Sequence, residues 1–314
     1  MHRNKNIVAL SGGLGNQLFQ YCFGLELASE KEVDISYDLG SYSNEYPNLI
    51  ERKLMLVDLG LDITLSVESM EKIRSEFESW SLARFDGAHS AGEIFKAALT
   101  LAKILLLNFT VLHTGIPRRA WNLLNALPIK HYYVGNWQEW GIADRYLPRI
   151  QEELSQLRSH IETSCSWSEQ VSARDAVVMH VRRGDYAVND RTRSFHGLLS
   201  RQYFVAGLHK LEEITVIKRA YVFSDDIEWC KENLKLPIET HFVSGSEDAK
   251  TDVDELLIMS FGCNFIISNS TYSWWAANLS LSTNKKVIAP KRWFQSTSAQ
   301  KQSDKLRVSE WSYI

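Results

Sequence analysis

Short apolar runs alternate along this chain with segments whose apolar residues recur every three or four positions, the two rhythms of buried strands and amphipathic helices. Ile7 to Leu10 predicts a strand. Ser11-Gly12-Gly13-Leu14-Gly15-Asn16-Gln17 then opens a helix whose apolar face carries Leu18, Phe19, Cys22, Phe23, Leu25 and Leu27. Val33 to Tyr37 reads as the next strand. From about 40 to 130 the pattern is mixed and mostly helical. Tyr132 to Gly135 is another strand candidate, ending in Asn136-Trp137-Gln138-Glu139-Trp140. One long helix is expected from Ile142 to about Glu162, because Leu147, Ile150, Leu154, Leu157 and Ile161 share a face.

The second half is cleaner. Strands are expected at 176–181, 220–224, 240–243, 264–268 and 286–289. Helices are expected near 200–213, after Asp226, at 254–262 and at 272–281, with an irregular tail. Strands alternating with helices imply parallel sheets wound on both faces. The fold expected is α/β, with two Rossmann-like domains facing across a cleft. The polar stretch Thr163 to Asp175 is the natural boundary, giving domains at 1–165 and 166–314, the second including a C-terminal tail.

Composition narrows the class. The 314 residues suffice for two ordinary domains, and 45% apolar with 23% charged residues is the make-up of a soluble globular protein. The net charge of −3 supplies no basic field for nucleic acid. Cys22, Cys165, Cys230 and Cys263 are widely spaced, without zinc or C-x-x-C spacing. With a polar start, Met-His-Arg-Asn-Lys, they are expected to be reduced thiols of a cytoplasmic protein. The most apolar stretch, Ile94 to Leu112, is interrupted by Lys96, Lys103 and Asn108. It lacks the run of about 20 apolar residues that a membrane span needs. No transmembrane anchor is expected, and peripheral docking at the inner face of the plasma membrane stays open.

Three loops follow predicted strands and should gather at one sheet edge: His180 to Asp185, Ser224 to Asp226, and Asn269 to Ser273. Arg182 and Arg183 offer planar donor forks suited to phosphate. Asp225 and Asp226 can accept from a base edge, and Ser270 or Thr271 sits at a helix start suited to an anion. Such an inventory fits a nucleoside diphosphate. His180 is either a core histidine or a ligand contact, Ser270 or Thr271 either a cap or a phosphate contact, and Asp185 is expected to orient an arginine. Gly13 and Gly15 form G-x-G, but the third position is Leu18, so the dinucleotide fingerprint is incomplete. An NAD-dependent oxidoreductase remains an alternative, with Asp34 or Asp38 as ribose acid. So does a non-catalytic glycan-binding module, given ten tryptophans including Trp137 and Trp140. Asp252-Val253-Asp254 has the look of a metal clamp, but Asp252 and Glu255 fit a helix capping box, and no metal site is expected.

Four segments in order, SGGLGNQLFQY (11–21), HVRRGDY (180–186), FSDD (223–226) and SNSTYSWWAA (268–277), resemble the bacterial α-1,2-fucosyltransferases; GNWQ (135–138) is similar to a fifth. The resemblance implies a GT-B type glycosyltransferase that moves L-fucose from GDP-fucose, with inversion and without metal or other cofactor. The acceptor would be the 2-hydroxyl of a β-galactose-terminated, possibly lipid-linked, oligosaccharide of a surface glycan such as an O-antigen. It also implies that Arg182 grips the diphosphate, that His180 and Asp225 meet guanine, and that Ser270 and Thr271 form the phosphate-side loop. Asn16 would lie near the transferred sugar. Arg183, Asp226, Gly13 and Gly15 join the expected donor site, and the N-terminal domain is expected to bind acceptor, with Trp137 and Gln138 in contact. Glu139, Asp38 and Asp185 are candidates for the base, with Glu139 carried forward beside Arg182 and Asn16 as catalytic.

Overall fold

The computed structural model describes residues 6–39, 54–66, 109–113, 118–127 and 129–314. Most of the mixed region between 40 and 130, including the apolar stretch from 94 to 108, lies outside them. The chain forms two compact units. One holds the described residues up to Trp137 apart from two short segments; the other holds those segments, Gly13–Leu18 and Met55–Leu61, together with Gln138–Ile314.

In the first unit, β1 (Asn6–Ala9), β2 (Ile35–Asp38), β3 (Phe109–His113) and β4 (Lys130–Val134) form a parallel sheet in the order β2-β1-β4-β3. Parallel strands need crossover connections, and α1 (Leu14–Lys31) carries the one from β1 to β2. β3 was not foreseen, because it overlaps the end of the apolar stretch Ile94 to Leu112, in a region whose pattern reads as mostly helical. Helix α2 (Arg118–Asn125) precedes β4. Asn6 and His131 are buried polar residues on neighbouring strands; the Asn6 side-chain oxygen accepts the His131 backbone N–H at 3.2 Å and lies 3.1 Å from Nδ1.

The second unit contains α3 (Trp140–Glu153), α4 (Ser155–Ser164), α5 (Ser166–Ser172), β5 (Ala176–Val181), α6 (Gly184–Val188), α7 (Asp190–His196), α8 (Arg201–Glu212), β6 (Arg219–Ser224), α9 (Ile227–Asn233), β7 (Glu239–Phe242), α10 (Asp252–Met259), β8 (Asn264–Ile266), α11 (Thr271–Leu279), β9 (Lys286–Ala289), α12 (Thr297–Ser303) and β10 (Ser312–Tyr313). Its parallel sheet runs β10-β9-β8-β5-β6-β7. All six residues of β5 are buried, as a strand covered on both faces must be. Val177, Met179 and Val181 pack with Phe204, Leu208 and Leu211 of α8. Gly207 lets that helix close on the sheet, since a Cβ there would sit 3.0 Å from Ile266.

Three expectations change. The long helix is two, joined at Leu154 (ψ −6°), with the apolar face running on across the joint, so periodicity alone could not show the break. The unit boundary falls at 137/138 and not at 165/166. The reason is packing: Arg158 of α4 donates to the Ser260 carbonyl and hydroxyl at the end of α10, and Trp140 meets Trp274 of α11 edge-on at 5.6 Å, so these helices belong with the second sheet. The tail is not irregular, because β10 pairs with β9.

Candidate active site

β5, β6 and β8 end side by side, and the polar loops that follow them are tied together by hydroxyl bridges. Ser268 Oγ donates to the His180 carbonyl (2.5 Å) and accepts the Arg182 backbone N–H (2.9 Å). Ser224 Oγ donates to the Val181 carbonyl (2.8 Å) and accepts the Asp226 N–H (3.0 Å). Each loop is thus held by its neighbours, which fixes the direction in which both arginines leave the sheet.

Arg182 and Arg183 are oriented by different carboxylates. An Arg182 guanidinium nitrogen pairs with Asp225 Oδ2 at 2.8 Å, while the other Asp225 oxygen accepts the Arg183 backbone N–H at 2.7 Å. Arg183 Nε reaches Asp226 Oδ2 at 3.2 Å, and its guanidinium lies 3.7 Å from the centre of the Trp229 ring. Asp226 also caps α9 through the Trp229 N–H. Asp225 and Asp226 thus orient the two arginines, and the Asp185 side chain, expected to do so, lies outside the described ones. A Cβ at Gly184 would come within 2.4 Å of Asp225 Oδ2, so any larger residue there would displace the Asp225 carboxylate.

His180 lies under this corner, 4% exposed, with Nδ1 lacking any partner among the described residues. Burial, reinforced by the nearby Arg182 charge, pushes its imidazole down to about 3. The ring is neutral at physiological pH, so the local positive charge is that of the arginines.

The third loop opens α11. Ser270 is its N-cap residue, yet the hydroxyl makes no capping bond. Thr271 Oγ1 donates to Asn16 Oδ1 at 2.9 Å. Gly15 shows why the glycine-rich turn exists: a Cβ would lie 2.5 Å from the Thr271 carbonyl carbon and the Tyr272 nitrogen. This glycine serves close packing of the α1 start on the α11 start. The Gly13 carbonyl accepts the Asn16 and Gln17 N–H groups.

The remaining expected residues are placed as follows. Gln138 Nε2 donates to Asn16 Oδ1 at 2.9 Å. Glu139 precedes α3 and forms an ion pair with Lys305 at 3.0 Å. Trp137 belongs to the first unit, where it stacks on Phe23 at 3.8 Å and 4° with Trp121 alongside at 5.4 Å; its φ of 51° is left-handed. Asp38, also there, accepts the Tyr132 hydroxyl at 2.5 Å. The capping box at α10 is formed by Thr251 and Asp254, one residue earlier than expected at its start, so the Asp254 carboxylate is engaged by the Thr251 backbone and hydroxyl.

Glu255 was read only as a cap residue, and its position is more telling. Its carboxylate accepts from Ser244 Oγ (2.7 Å), whose oxygen in turn accepts the Ser224 N–H. Burial, with Asp252 and Asp225 nearby, raises it to about 7. Only the fold brings it towards the β6 loop; an acid three residues past Asp252 gives no such signal.

At this edge cations, hydrogen-bond acceptors and a helix start come together. Residues 116–314 match glycosyl transferase family 11, well over half of the sequence. The chain belongs to that family and is a glycosyltransferase. It is similar to an alpha-1,2-colitosyltransferase of Escherichia coli, 27% identical over 298 residues that cover 92% of each chain. It is also similar to the O-antigen biosynthesis glycosyltransferase WbnK of Escherichia coli, 27% identical over 322 residues, 96% of this chain and 98% of that one. Among solved structures, fucosyltransferase NodZ from Bradyrhizobium covers 88% of this chain over 92% of its own, at 12% identity and a TM-score of 0.47. A mutant of Arabidopsis thaliana FUT1 in complex with GDP covers 89% over 69% of its own, at 13% identity and a TM-score of 0.46.

Proposed function

We propose that this glycosyltransferase moves L-fucose from GDP-fucose to the 2-hydroxyl of a β-galactose-terminated glycan, with inversion and without a metal ion. The observation that carries the reading is the Arg182 guanidinium, held by Asp225 at the carboxyl end of β5 beside the α11 start. As the bond between the sugar and the β-phosphate breaks, its electron pair passes to the phosphate oxygen. A fixed cation then stabilises the transition state more than the ground state. Arg182 supplies that charge, and Arg183, Ser270 and Thr271 complete the diphosphate side. His180 and the carboxylates of Asp225 and Glu255 face the base, whose N–H edge asks for acceptors. The acceptor oxygen bonds to C1 from the opposite face, and Glu139 is the carboxylate proposed to take its proton. The first unit would bind the acceptor glycan, with Trp137 as its aromatic contact. The setting is assembly of a surface glycan at the inner face of the plasma membrane; among the described residues no helix is long and apolar enough to cross a membrane.

A second donor is favoured by one relative's activity. Colitose is L-fucose without its 3-hydroxyl, so GDP-colitose would occupy the same diphosphate clamp. Purified protein is to be assayed with each GDP-sugar against a panel of β-galactosides in excess EDTA, with the product linkage read by NMR. An α-1,2-fucosyl product formed in EDTA is the expected outcome. Transfer only with Mn²⁺ or Mg²⁺, or from neither GDP-sugar, would refute the reading.

A further inference from the structure

Asn16 is half-buried in the first turn of α1, and its side-chain oxygen receives two hydrogen bonds. One comes from Thr271 Oγ1 and the other from Gln138 Nε2, both at 2.9 Å. These three residues are far apart in the chain, 122 positions separating Asn16 from Gln138 and 255 separating it from Thr271. A carbonyl oxygen has two lone pairs, and here both are taken by protein donors. The amide is therefore fixed with Oδ1 inward, and Nδ2 meets no partner among the described residues. An asparagine is ordinarily ambivalent, able to present either end to a ligand; this one is left with two N–H groups to offer. It offers them beside the loop 268–271, whose Ser268 holds the Arg182 backbone.

We propose that Gln138 is a positioning residue: together with Thr271 it clamps the Asn16 carbonyl, so that the Asn16 amide can only donate, and it donates to the diphosphate oxygen that gains charge when the glycosyl bond breaks. This rests on the reading given under Proposed function. Asn16 exchanges no proton and forms no bond to the sugar; it strengthens a hydrogen bond as the leaving oxygen becomes an anion. The arrangement also explains why position 138 carries an amide. A glutamate there could only accept, and it would draw the Asn16 N–H groups inward and turn its oxygen towards the phosphate.

The clamp is tested without ligand by thermal unfolding of Asn16→Ala, Gln138→Leu and the double variant. A double variant no less stable than the weaker single one is expected, and additive Tm losses would overturn the clamp. The role is tested by steady-state transfer from GDP-fucose. Gln138→Glu should keep the wild-type Tm and lose kcat by about 10-fold or more, and the isosteric Asn16→Asp by about 100-fold. The KM for the galactoside should stay unchanged in both, and Gln138→Leu should add no further loss in the Asn16→Ala background. A raised acceptor KM with kcat intact in Gln138→Leu would make Gln138 an acceptor contact and end the proposal, as would wild-type kcat in Asn16→Asp. If the wild-type protein turned over neither GDP-fucose nor GDP-colitose, the functional reading and the leaving-oxygen role would fall together, while the ligand-free cycle would still decide the clamp.

Discussion

A buried residue's charge state is set by what surrounds it, and two residues at this sheet edge are pushed in opposite senses. The His180 value is depressed from 6.5 to about 3, so the unfolded chain binds more protons between those limits. Its contribution to stability is complete above pH 6.5 and is lost as pH falls towards 3. The Glu255 value is raised from 4.5 to about 7, so the native state keeps a proton that the unfolded chain releases. That contribution is complete below pH 4.5 and is lost as pH rises through 7, on the order of 3 kcal/mol at most. Glu255→Gln should therefore be more stable at pH 8 relative to pH 5 than the wild type, as measured by Tm. His180→Gln should weaken the acid loss below pH 6. Arg182 answers to kinetics instead. Arg182→Ala should lower kcat/KM for the GDP-sugar by about 10²–10³-fold, on the scale of a lost transition-state donor. Arg182→Lys should recover little, since a lysine cannot meet Asp225 and a phosphate with one planar fork.

Elements explain why particular residues are confined to these places. Gly15 lies where the start of α1 meets the start of α11, with only 2.5 Å available to a Cβ against the 271–272 peptide. Gly15→Ala must shift main chain and not a side chain, so a loss of about 1–3 kcal/mol and a lower Tm are expected. The shift would also pull Asn16 away from Thr271, so activity should fall further than stability. The glycine-rich turn, His180 to Asp185 and the serine-threonine loop were all legible in the sequence, because each follows an apolar run and carries residue types with few other uses. The cap at Thr251, the joint at Leu154 and the pairing of β10 were not. They depend on which neighbour happens to meet a group that local patterning leaves open.

For the whole molecule, ligand linkage separates the readings most directly. GDP at a hundred times its dissociation constant should stabilise the native state by about 2.7 kcal/mol and raise Tm, while NAD should leave it unchanged. A rise with NAD would restore the oxidoreductase alternative. That alternative rested on Gly13 and Gly15, and the packing of Gly15 on residues 271–272 removes its structural motive. Trp137 shows the opposite limit of sequence reading. An aromatic residue beside a glutamine gives no sign of its ring partner, and the stacking on Phe23 within the first unit is seen only in the structure.

What the sequence determined by itself was the α/β class, the strands β5 to β9 of the second sheet and the three loops that follow β5, β6 and β8. Apolar periodicity and residue chemistry are local properties, and parallel β5, β6 and β8 oblige their following loops to share an edge. Tertiary structure alone decided the partners: Asp225 with Arg182, Asp226 with Arg183, Ser244 with Glu255, and Gln138 and Thr271 on one oxygen of Asn16. A hydrogen bond or ion pair depends on ångström distances between residues far apart in the chain, and no local pattern encodes those distances.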